Sequence, residues 1–581
     1  MNHNQEQSNI DNIRHSLAHL LAMAVLKKFP KAKLGIGPTI ENGFYYDFKL
    51  PKPIGPEDLK EFETEMKQLI AEKFDFKGEK ITVLKAKRLF KDQPFKLDLI
   101  KEFSKEKKQL TLYHTGKFTD LCRGGHVKNT SEINPNGLKL TKIAGAYWRG
   151  NEKNPQLTRI YGVAFNNQKE LEHYLWQEEE AKKRDHRILG ERLKLFTFAP
   201  EVGPGLPLWL PNGTVLREMI EERAKKVESA RGYKRVTTPH IAKEELFKLS
   251  GHIPYYQESM YPPMKLDDGN YYLKPMNCAF THMIYKAEPH SYRELPIRYA
   301  EYGTVYRHEL SGTLAGLLRT RGFTQNDAHI YCREDQVVEE FLKVMKLHEY
   351  WYKEIFGIND FYMRLSLPSK DKKKFVNIPA SWTKATQLIR EAMKQSGLKF
   401  SEAEGEAAFY GPKVDFQIKS VIGREETAST NQLDFLAAER FKLTYTDKDG
   451  KNKPVWVIHR SPLGSHERFI AFLIEHYAGD FPFWLAPIQI AVLAVTDKSR
   501  DYAIETSRQL KKQSFRITVD ARNETIGKKI REAELQKIPY LLIIGEKEQA
   551  SGTVAVRERG AGDKGQIKIN DFIESCKKLL R

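Results

Sequence analysis

Cysteine is scarce, at four residues in 581. So few thiols cannot build a disulfide framework, which predicts a cytoplasmic chain in a reducing compartment, with each cysteine a core residue, a metal ligand or a thiol. Long apolar runs are missing as well. The longest, such as Ile490 to Val495 and Tyr540 to Ile544, fall far short of the roughly 18 residues a membrane-spanning helix needs. The opening MNHNQEQSNIDNIRHS carries no apolar signal region, so no membrane segment is expected. There is no GxxxxGK followed by Ser or Thr, and no GxGxxG opens a helix after a strand, so any phosphate chemistry must rely on side-chain cations. Neither HExxH nor GxSxG occurs, which argues against the zinc proteases and the serine hydrolases. No repeat of 20 to 50 residues and no low-complexity tract is present.

Acidic residues are outnumbered. Lys and Arg total 95 against 76 Asp and Glu, a net charge of +19, and an excess of that size points to a polyanionic partner or an acidic membrane face. With spanning segments absent, nucleic acid is favoured. Hydrophobic residues at 40% and aromatics at 11% supply several cores and exclude a disordered chain. At roughly 150 residues per domain, the length predicts three or four domains.

Two places divide the chain. From Gln168 to Leu195 the sequence QKELEHYLWQEEEAKKRDHRILGERLKL places acidic residues first, basic ones later and apolar ones at near-helical spacing, which predicts a connecting helix. The second boundary is FPFWLAP, ending at Pro487. Beyond it, short apolar strands (IQIAVLAV, FRITVD, YLLIIG, TVAVRER) alternate with helical segments at Arg500 to Gln513, Ile526 to Lys537 and Ile569 to Leu580, the pattern of a compact α/β domain. The central region mixes strands such as FYMRLSL and VDFQIKSVI with helices.

The densest chemistry lies in YRHELSGTLAGLLRTRGFTQNDAHIYC, Tyr306 to Cys332, where Arg307, Arg319 and Arg321 flank a loop of small residues followed by Phe323. A guanidinium fork suits phosphate oxygens and an aromatic face suits a base. A second segment, VIHRSPLGSHERFIAFLIEHYAG, sets Gly464 before Glu467 and Arg468 at the start of an amphipathic helix. Nearer the N-terminus, His15 and His19 in IRHSLAHLLAMAV are spaced i, i+4 on one helix face, and TDLCRGGHV adds Cys122 and His126. On spacing alone, those four read as a zinc site.

The two central segments, with Pro239 following the long helix of IEERAKKVESARGYKRVTTPH, resemble the three signature motifs of class II aminoacyl-tRNA synthetases. YLKPMNC, RGFTQNDAH, AFYGPKVDF, NQLDF and VIHR are similar to the threonyl-tRNA synthetase family in particular, and the resemblance runs over nearly the whole chain. It implies an α+β multidomain protein: a class II core on an antiparallel sheet with helices, an N-terminal α+β editing domain and a C-terminal α/β anticodon-binding domain. The limits expected are 1–170 for editing, 171–195 for the linker helix, 196–481 for catalysis and 482–581 for the anticodon. The implied partners are threonine, ATP with Mg²⁺, and tRNA(Thr). A homodimer is implied through the first motif's helix and strand.

The resemblance also implies residue roles. Arg307 would hold the α-phosphate, where charge develops as the amino-acid carboxylate attacks, and Mg²⁺ would assist. Glu309 would read the adenine amino group, Phe323 and Arg468 would cover its two faces, Arg319 would reach the distal phosphates, and Gln432 would touch nucleotide or terminal adenosine. Cys278, His329 and His459 match the family's zinc ligands, and one thiolate with two imidazoles leaves a tetrahedral position open for substrate. Asp327 would pair with the substrate ammonium, with Gln325, Tyr410 and Lys413 completing the pocket. Cys332, His282 and Cys576 are read as packing or surface residues.

HxxxH with CxxxH is the family's editing signature, so His15, His19, Cys122 and His126, with Asp120, would position RNA and water for hydrolysis of seryl-tRNA(Thr). GIGPTIENGFYYDF and GAYWRG extend the likeness through that domain. In the tail, Asn523, Glu548 and Arg557 match positions that read anticodon bases, in keeping with recognition of unstacked loop bases by hydrogen bonds. Three departures stand out. The small ubiquitin-like domain that usually precedes the editing domain is expected to be missing. Thr427 replaces a glutamine near threonine, and Thr525 replaces a lysine near the anticodon.

Overall fold

Residues 2–369, 375–420, 423 and 425–580 are described by a computed structural model, with side chains from residue 9 onward. The chain divides into two compact units, Met1–Glu179 and Glu180–Arg581.

The first unit is led by the helix Asn2–Lys28. Leu17, Leu20, Leu21 and Val25 recur at helical spacing and are completely buried, facing the helix Pro56–Ala71 and the strand Gly43–Lys49. One sheet runs Lys33–Leu34, Gly43–Lys49, Gln156–Ala164, Leu138–Tyr147, with Thr39–Ile40 paired to the second of these. A separate three-stranded sheet joins Phe76–Ile81, Leu110–Thr115 and Phe118–Leu121. Cys122 follows the last of those strands directly, which brings the CxxxH segment to the histidine-bearing helix.

The predicted connecting helix is two helices. The first, Gln168–Arg184, stops at Asp185, which has φ −49° and ψ 117° and caps the second helix, His186–Arg192, by accepting the Arg187 N–H at 2.8 Å. An aspartate followed by a new apolar turn is an N-cap signal, and here it outweighs helix continuity.

The second unit is built on an eight-stranded sheet in the order Lys234–Arg235, Ile297–Tyr306, Gly322–Cys332, Trp456–Ser461, Glu425–Asp434, Lys413–Lys419, Phe361–Leu367, Phe400–Glu404. The six central strands pair antiparallel and only the two edge pairings are parallel. The helices Pro211–Ala230, Val337–Glu349, Pro379–Ser396 and His466–Tyr477 contribute to its core, in which Leu216, Val344, Ile389 and Ile470 are buried. Gly464 makes the turn from the strand Trp456–Ser461 into the last of those helices. It has φ +56°, and a Cβ on it would lie 2.9 Å from the Ala428 carbonyl oxygen.

The tail sheet runs Ile517–Asp520, Ile490–Ala494, Tyr540–Ile544, Thr553–Glu558, Gly562–Lys568, with the first three strands parallel. Four of its strands and the three long helices lie where the sequence predicts them. The fifth strand and the short helix Glu546–Ser551 were hidden by their polar residues. Arg516 binds the carbonyls of Ala486 and Trp484 at 3.0 and 2.8 Å, and Arg559 binds that of Phe481 at 2.8 Å, so the FPFWLAP segment is fastened to the tail.

Gly464→Ala carries both a left-handed backbone cost of about 1–2 kcal/mol and a clash with backbone. Gly552 has φ +65° with open space around it, so Gly552→Ala carries the first cost alone. Calorimetry is expected to show the larger drop in thermal midpoint for Gly464→Ala; equal drops would contradict the close approach.

Candidate active site

Side chains alternate across a strand, and that alternation builds the central cleft. Phe323, Gln325, Asp327 and His329 follow each other at every second position of one strand. His329 stands opposite His459, which stands opposite Gln432, which in turn stands opposite Lys413. These residues and Cys278, Arg307, Glu309, Arg319, Tyr410 and Arg468 all line one cleft of about 370 Å³. Every catalytic-unit residue expected from the sequence is in it.

Arg307 lies with its guanidinium 5.0 Å from the Phe323 ring and 5.5 Å from the Tyr256 ring, and its Nε donates to the Pro275 carbonyl at 3.4 Å. Glu309 and Arg319 meet each other, with Arg319 Nη2 2.8 Å from Glu309 Oε2. A nucleotide engaging both has to part them. Arg468, in the first turn of its helix, reaches the Leu318 carbonyl at 3.3 Å. Glu467, beside it, points inward and accepts the Thr324 N–H at 2.9 Å.

Asp327 accepts from Asn277 Nδ2 at 3.1 Å, and burial raises its carboxyl to about 6. A partly desolvated carboxylate of this kind favours a cationic partner. Lys413 lies 3.1 Å from the buried Asp415, which also accepts from Ser366 at 3.0 Å. Tyr410 donates to Gln432 and stacks on His459, with ring centroids 5.2 Å apart. Thr427 is hydrogen-bonded to Gln417 within this wall.

The cleft also contains donors that suit a soft metal. Against it lies a group formed by His282, Asp434 and His459, whose donor atoms lie within 4.8 Å of one another and of which only His459 lines the cleft. His282 is buried, in keeping with a packing role, and each residue of this group has a hydrogen-bond partner. Asp434 accepts His459 Nε2 at 3.0 Å and the N–H groups of Leu436 and Ala437 at 2.7 and 2.9 Å, while His282 Nδ1 meets Tyr331 OH at 3.0 Å. His329 differs. Its Nε2 is buried and, among the described residues, has no hydrogen-bond partner. Its ring stands 4.6 Å from that of His459, and burial holds it neutral, well below the ordinary histidine range. Cys278 opens the helix Cys278–Lys286, where burial pushes its thiol up; a helix N-terminus and a bound cation act in the opposite direction. A histidine that gives one N–H to a carboxylate, as His459 does to Asp434, is the usual outer-shell arrangement of a metal ligand. Cys278, His329 and His459 offer one thiol and two imidazoles, a donor set of the kind zinc takes, though among the described residues only His459 of the three belongs to a donor group within 4.8 Å.

Two residues of this site went unread in the sequence. Asp434 sits in the quoted NQLDF, and only its partner 25 residues away gives it meaning. His252 lies in SGHIPYY with Nε2 3.0 Å from Met276 Sδ and 3.8 Å from Cys278 Sγ, and burial lowers it to about 4.

The first unit holds a second cleft, of about 490 Å³, lined by His15, His19, Asp120 and Cys122. His126 completes a group of four whose donor atoms lie within 4.8 Å of one another. Cys122 Sγ is 3.3 Å from His15 Nε2 and 3.2 Å from His126 Nε2. Ser16 Oγ already donates to the Asn12 carbonyl, so the 3.2 Å contact with His126 Nδ1 places the ring proton on Nδ1 and leaves Nε2 as the acceptor facing sulfur. Burial raises the Cys122 thiol to about 11 and lowers all three histidines. The pocket is therefore neutral around sulfur. In its wall Asp120, expected from the sequence, is held by two residues that were not, Lys96 and Tyr46. Lys96 Nζ is 2.6 Å from Asp120 Oδ1, and Tyr46 OH donates to Asp120 Oδ2 at 2.5 Å, all three almost fully buried.

In the tail, Asn523 is exposed in the turn before the helix Ile526–Leu535, which Thr525 caps. Glu548 is largely buried and caps its own short helix through the Gly545 N–H at 2.9 Å, while Gln566 donates to its other oxygen. Arg557 is paired with Glu534 at 2.9 Å. Two of the three expected base readers are thus engaged within the chain.

The neutral histidines set a pH dependence. With folded values below the ordinary 6.5, the unfolded chain takes up protons that the folded unit refuses. Stability is therefore full above that value and lost as pH falls through it. Calorimetry from about pH 7.5 to 5 is expected to show a falling midpoint for the first unit, flattened in His19→Gln; a midpoint that holds or rises on acidification would contradict it.

Comparison with known proteins accords with this geometry. Residues 262–477 match the family model described as tRNA synthetase class II core domain (G, H, P, S and T), residues 489–579 an anticodon binding domain, and residues 110–161 the threonyl and alanyl tRNA synthetase second additional domain. A threonine–tRNA ligase of Gloeobacter violaceus is 48% identical over 98% of this chain and 92% of its own length. That of Geobacillus kaustophilus is 48% identical over 97% and 86%. Among solved structures, the RNA binding domain of threonyl-tRNA synthetase from Cryptosporidium parvum is 35% identical and superposes with a TM-score of 0.65, over 68% of this chain and 98% of that one. The chain belongs to the threonine–tRNA ligase family: it joins threonine to tRNA(Thr) at the expense of ATP and carries the domain that edits mischarged seryl-tRNA(Thr).

Proposed function

We propose that threonine is selected at Cys278, His329 and His459 with a zinc ion, and that the observation carrying this is the unpartnered, buried Nε2 of His329 beside His459. When bound there, zinc supplies Lewis-acid ligation of the substrate's amino and hydroxyl groups. A site built to bind a hydroxyl rejects an analogue lacking it by roughly 10⁴ to 10⁵, whereas an apolar pocket manages only about a hundredfold. Valine is the analogue so excluded. Asp327 accepts a hydrogen bond from the amino group, which is the neutral amine when ligated, Tyr410 closes over the His459 side, and Gln325 and Lys413 line the remainder. Serine keeps both liganding groups and lacks only a methyl, worth about 1–3 kcal/mol, so the catalytic cleft alone discriminates weakly against it.

ATP enters with Mg²⁺ into the other half of the cleft. Arg307 meets the α-phosphate, where charge grows as the carboxylate attacks; a preorganised guanidinium stabilises that charge without reorganising. Arg319 releases Glu309 and turns to the distal phosphates, freeing Glu309 for the adenine amino group. Phe323 and Arg468 take the two faces of the base, and Gln432 lies where nucleotide and the terminal adenosine of tRNA meet.

Editing belongs to the neutral pocket of the first unit. His15, His19 and His126, neutral in the resting pocket near pH 7, orient water and take up its proton only in passing, and Cys122, as a thiol, orients water and substrate. Lys96 and Tyr46 hold Asp120 in place. Hydrolysis at these side chains is favoured over a structural zinc site because Cys122 already hydrogen-bonds to both His15 and His126. The domain limits taken are 1–170, 171–195, 196–481 and 482–581, and Asn523, Glu548 and Arg557 face the anticodon. A homodimer forms through the helix Pro211–Ala230 and the short edge strand Lys234–Arg235, which among the described residues leaves one margin of the large sheet unpaired. The four cysteines, all free, suit the cytoplasm.

ATP–pyrophosphate exchange on zinc-loaded protein is expected to proceed with threonine and serine and not with valine. Exchange with valine comparable to that with serine would reject hydroxyl selection. Arg307→Ala is expected to abolish exchange while sparing tRNA binding. Cys122→Ala is expected to leave threonine charging near normal while Ser-tRNA(Thr) accumulates; undiminished serine discharge would reject the editing role.

A further inference from the structure

His186, at the start of the helix His186–Arg192, is buried, and both its ring nitrogens are committed. Nε2 lies 3.1 Å from the backbone nitrogen of Leu317, and since that group is a donor, Nε2 accepts. The ring proton is therefore on Nδ1, 2.7 Å from Glu475 Oε1, which also faces the His186 backbone N–H at 3.3 Å. Glu475 is in the last turn of the helix His466–Tyr477. From the first turn of that helix, Arg468 donates to the carbonyl of Leu318.

Two neighbouring residues of the ATP loop are thus gripped from both ends of one helix. The Leu317 N–H is held through His186, and the Leu318 C=O directly by Arg468. Arg319 follows immediately. The approach is close: a Cβ on Gly316 would lie 2.3 Å from His186 Nε2. Arg184 donates to the carbonyls of Glu475 and His476 at 3.3 and 3.0 Å, binding the segment just before His186 to the same helix end.

We propose that His186 is a positioning residue for ATP: oriented by Glu475, its imidazole holds the Leu317 N–H and so sets the loop that presents Arg319. This rests on the assignment of Arg319 to the ATP phosphates. A residue that only fastened the linker would affect stability, and would not weaken ATP selectively.

Glutamine and asparagine separate the two faces of the ring. Gln places an amide oxygen near the position of Nε2 and can accept the Leu317 N–H. Asn reaches only the Nδ1 position and serves Glu475 alone. Leu317 is 1% exposed, so losing the acceptor leaves its N–H buried and unpaired, a penalty that corresponds to roughly ten- to a hundredfold in affinity.

In ATP–pyrophosphate exchange, His186→Asn is expected to raise the KM for ATP by roughly that factor, with the KM for threonine within about twofold of wild type. His186→Gln is expected to restore most of the loss. Glu475→Ala, which frees the ring without touching the loop, is expected to show the same ATP-only rise, and it carries the test if His186→Asn does not fold. Arg319→Ala is measured alongside. If it leaves the KM for ATP unchanged, the assignment of Arg319 has failed. If it raises that KM while the Asn, Gln and Glu475 variants match wild type, or raise ATP and threonine KM together, the role of His186 is overturned.

Discussion

The antiparallel register of three strands, Gly322–Cys332, Trp456–Ser461 and Glu425–Asp434, is the constraint on which the catalytic cleft depends. Because side chains alternate with a period of two, a one-residue slip in any of them would turn its functional set away from the cleft. With His329 opposite His459 and His459 opposite Gln432, the residues proposed as metal donors, amino-acid contacts and nucleotide contacts share one face. Residues more than a hundred positions apart become neighbours without any local sequence signal between them.

The opposite face is locked by charge. Arg460 lies 2.8 Å from Glu228 Oε1, Arg235 lies 2.8 Å from its other oxygen, and Asn326 donates to it at 2.9 Å. Glu228 and Arg460 are essentially inaccessible to water. Such a pair adds little net stability against an apolar replacement, yet removing one partner costs about 3–5 kcal/mol because the other is stranded. It ties the helix Pro211–Ala230 and the edge strand to the two strands that carry the histidines. A side chain pointing down from the floor thereby fixes those pointing up.

Local chemistry was legible in the sequence wherever a short segment carries its own pattern. Tail strands and helices, the apolar stripe of IRHSLAHLLAMAV and the clustered arginines of Tyr306 to Cys332 are of this kind. Lys96 was not legible, since a lysine in PFKLDLIKEF reads as solvated until Asp120 and Tyr46 are folded onto it. Asp434 and His252 were missed for the same reason: their partners come from other elements. The break at Asp185 was legible in principle, because aspartate before an apolar turn is a capping signal, but the charge pattern on either side favoured one continuous helix. Glu548 matches a base-reading position and also fits the capping box of its own helix, and sequence alone does not show the second use.

The two pockets solve opposite electrostatic problems. In the reading proposed above, the catalytic cleft gathers Arg307, Arg319 and Arg468 for a triphosphate while burial keeps His329 neutral, whereas the editing pocket is neutral around one sulfur, with the Lys96–Asp120 pair buried in its wall. The central claim is that the catalytic cleft reads a hydroxyl through a metal. The most direct test is zinc K-edge X-ray absorption on the purified protein with threonine, serine or valine added. One sulfur and two imidazole nitrogens are expected around zinc, with light-atom ligation that changes for threonine and serine and not for valine. Absence of sulfur from the zinc shell, or identical spectra with all three amino acids, would contradict it.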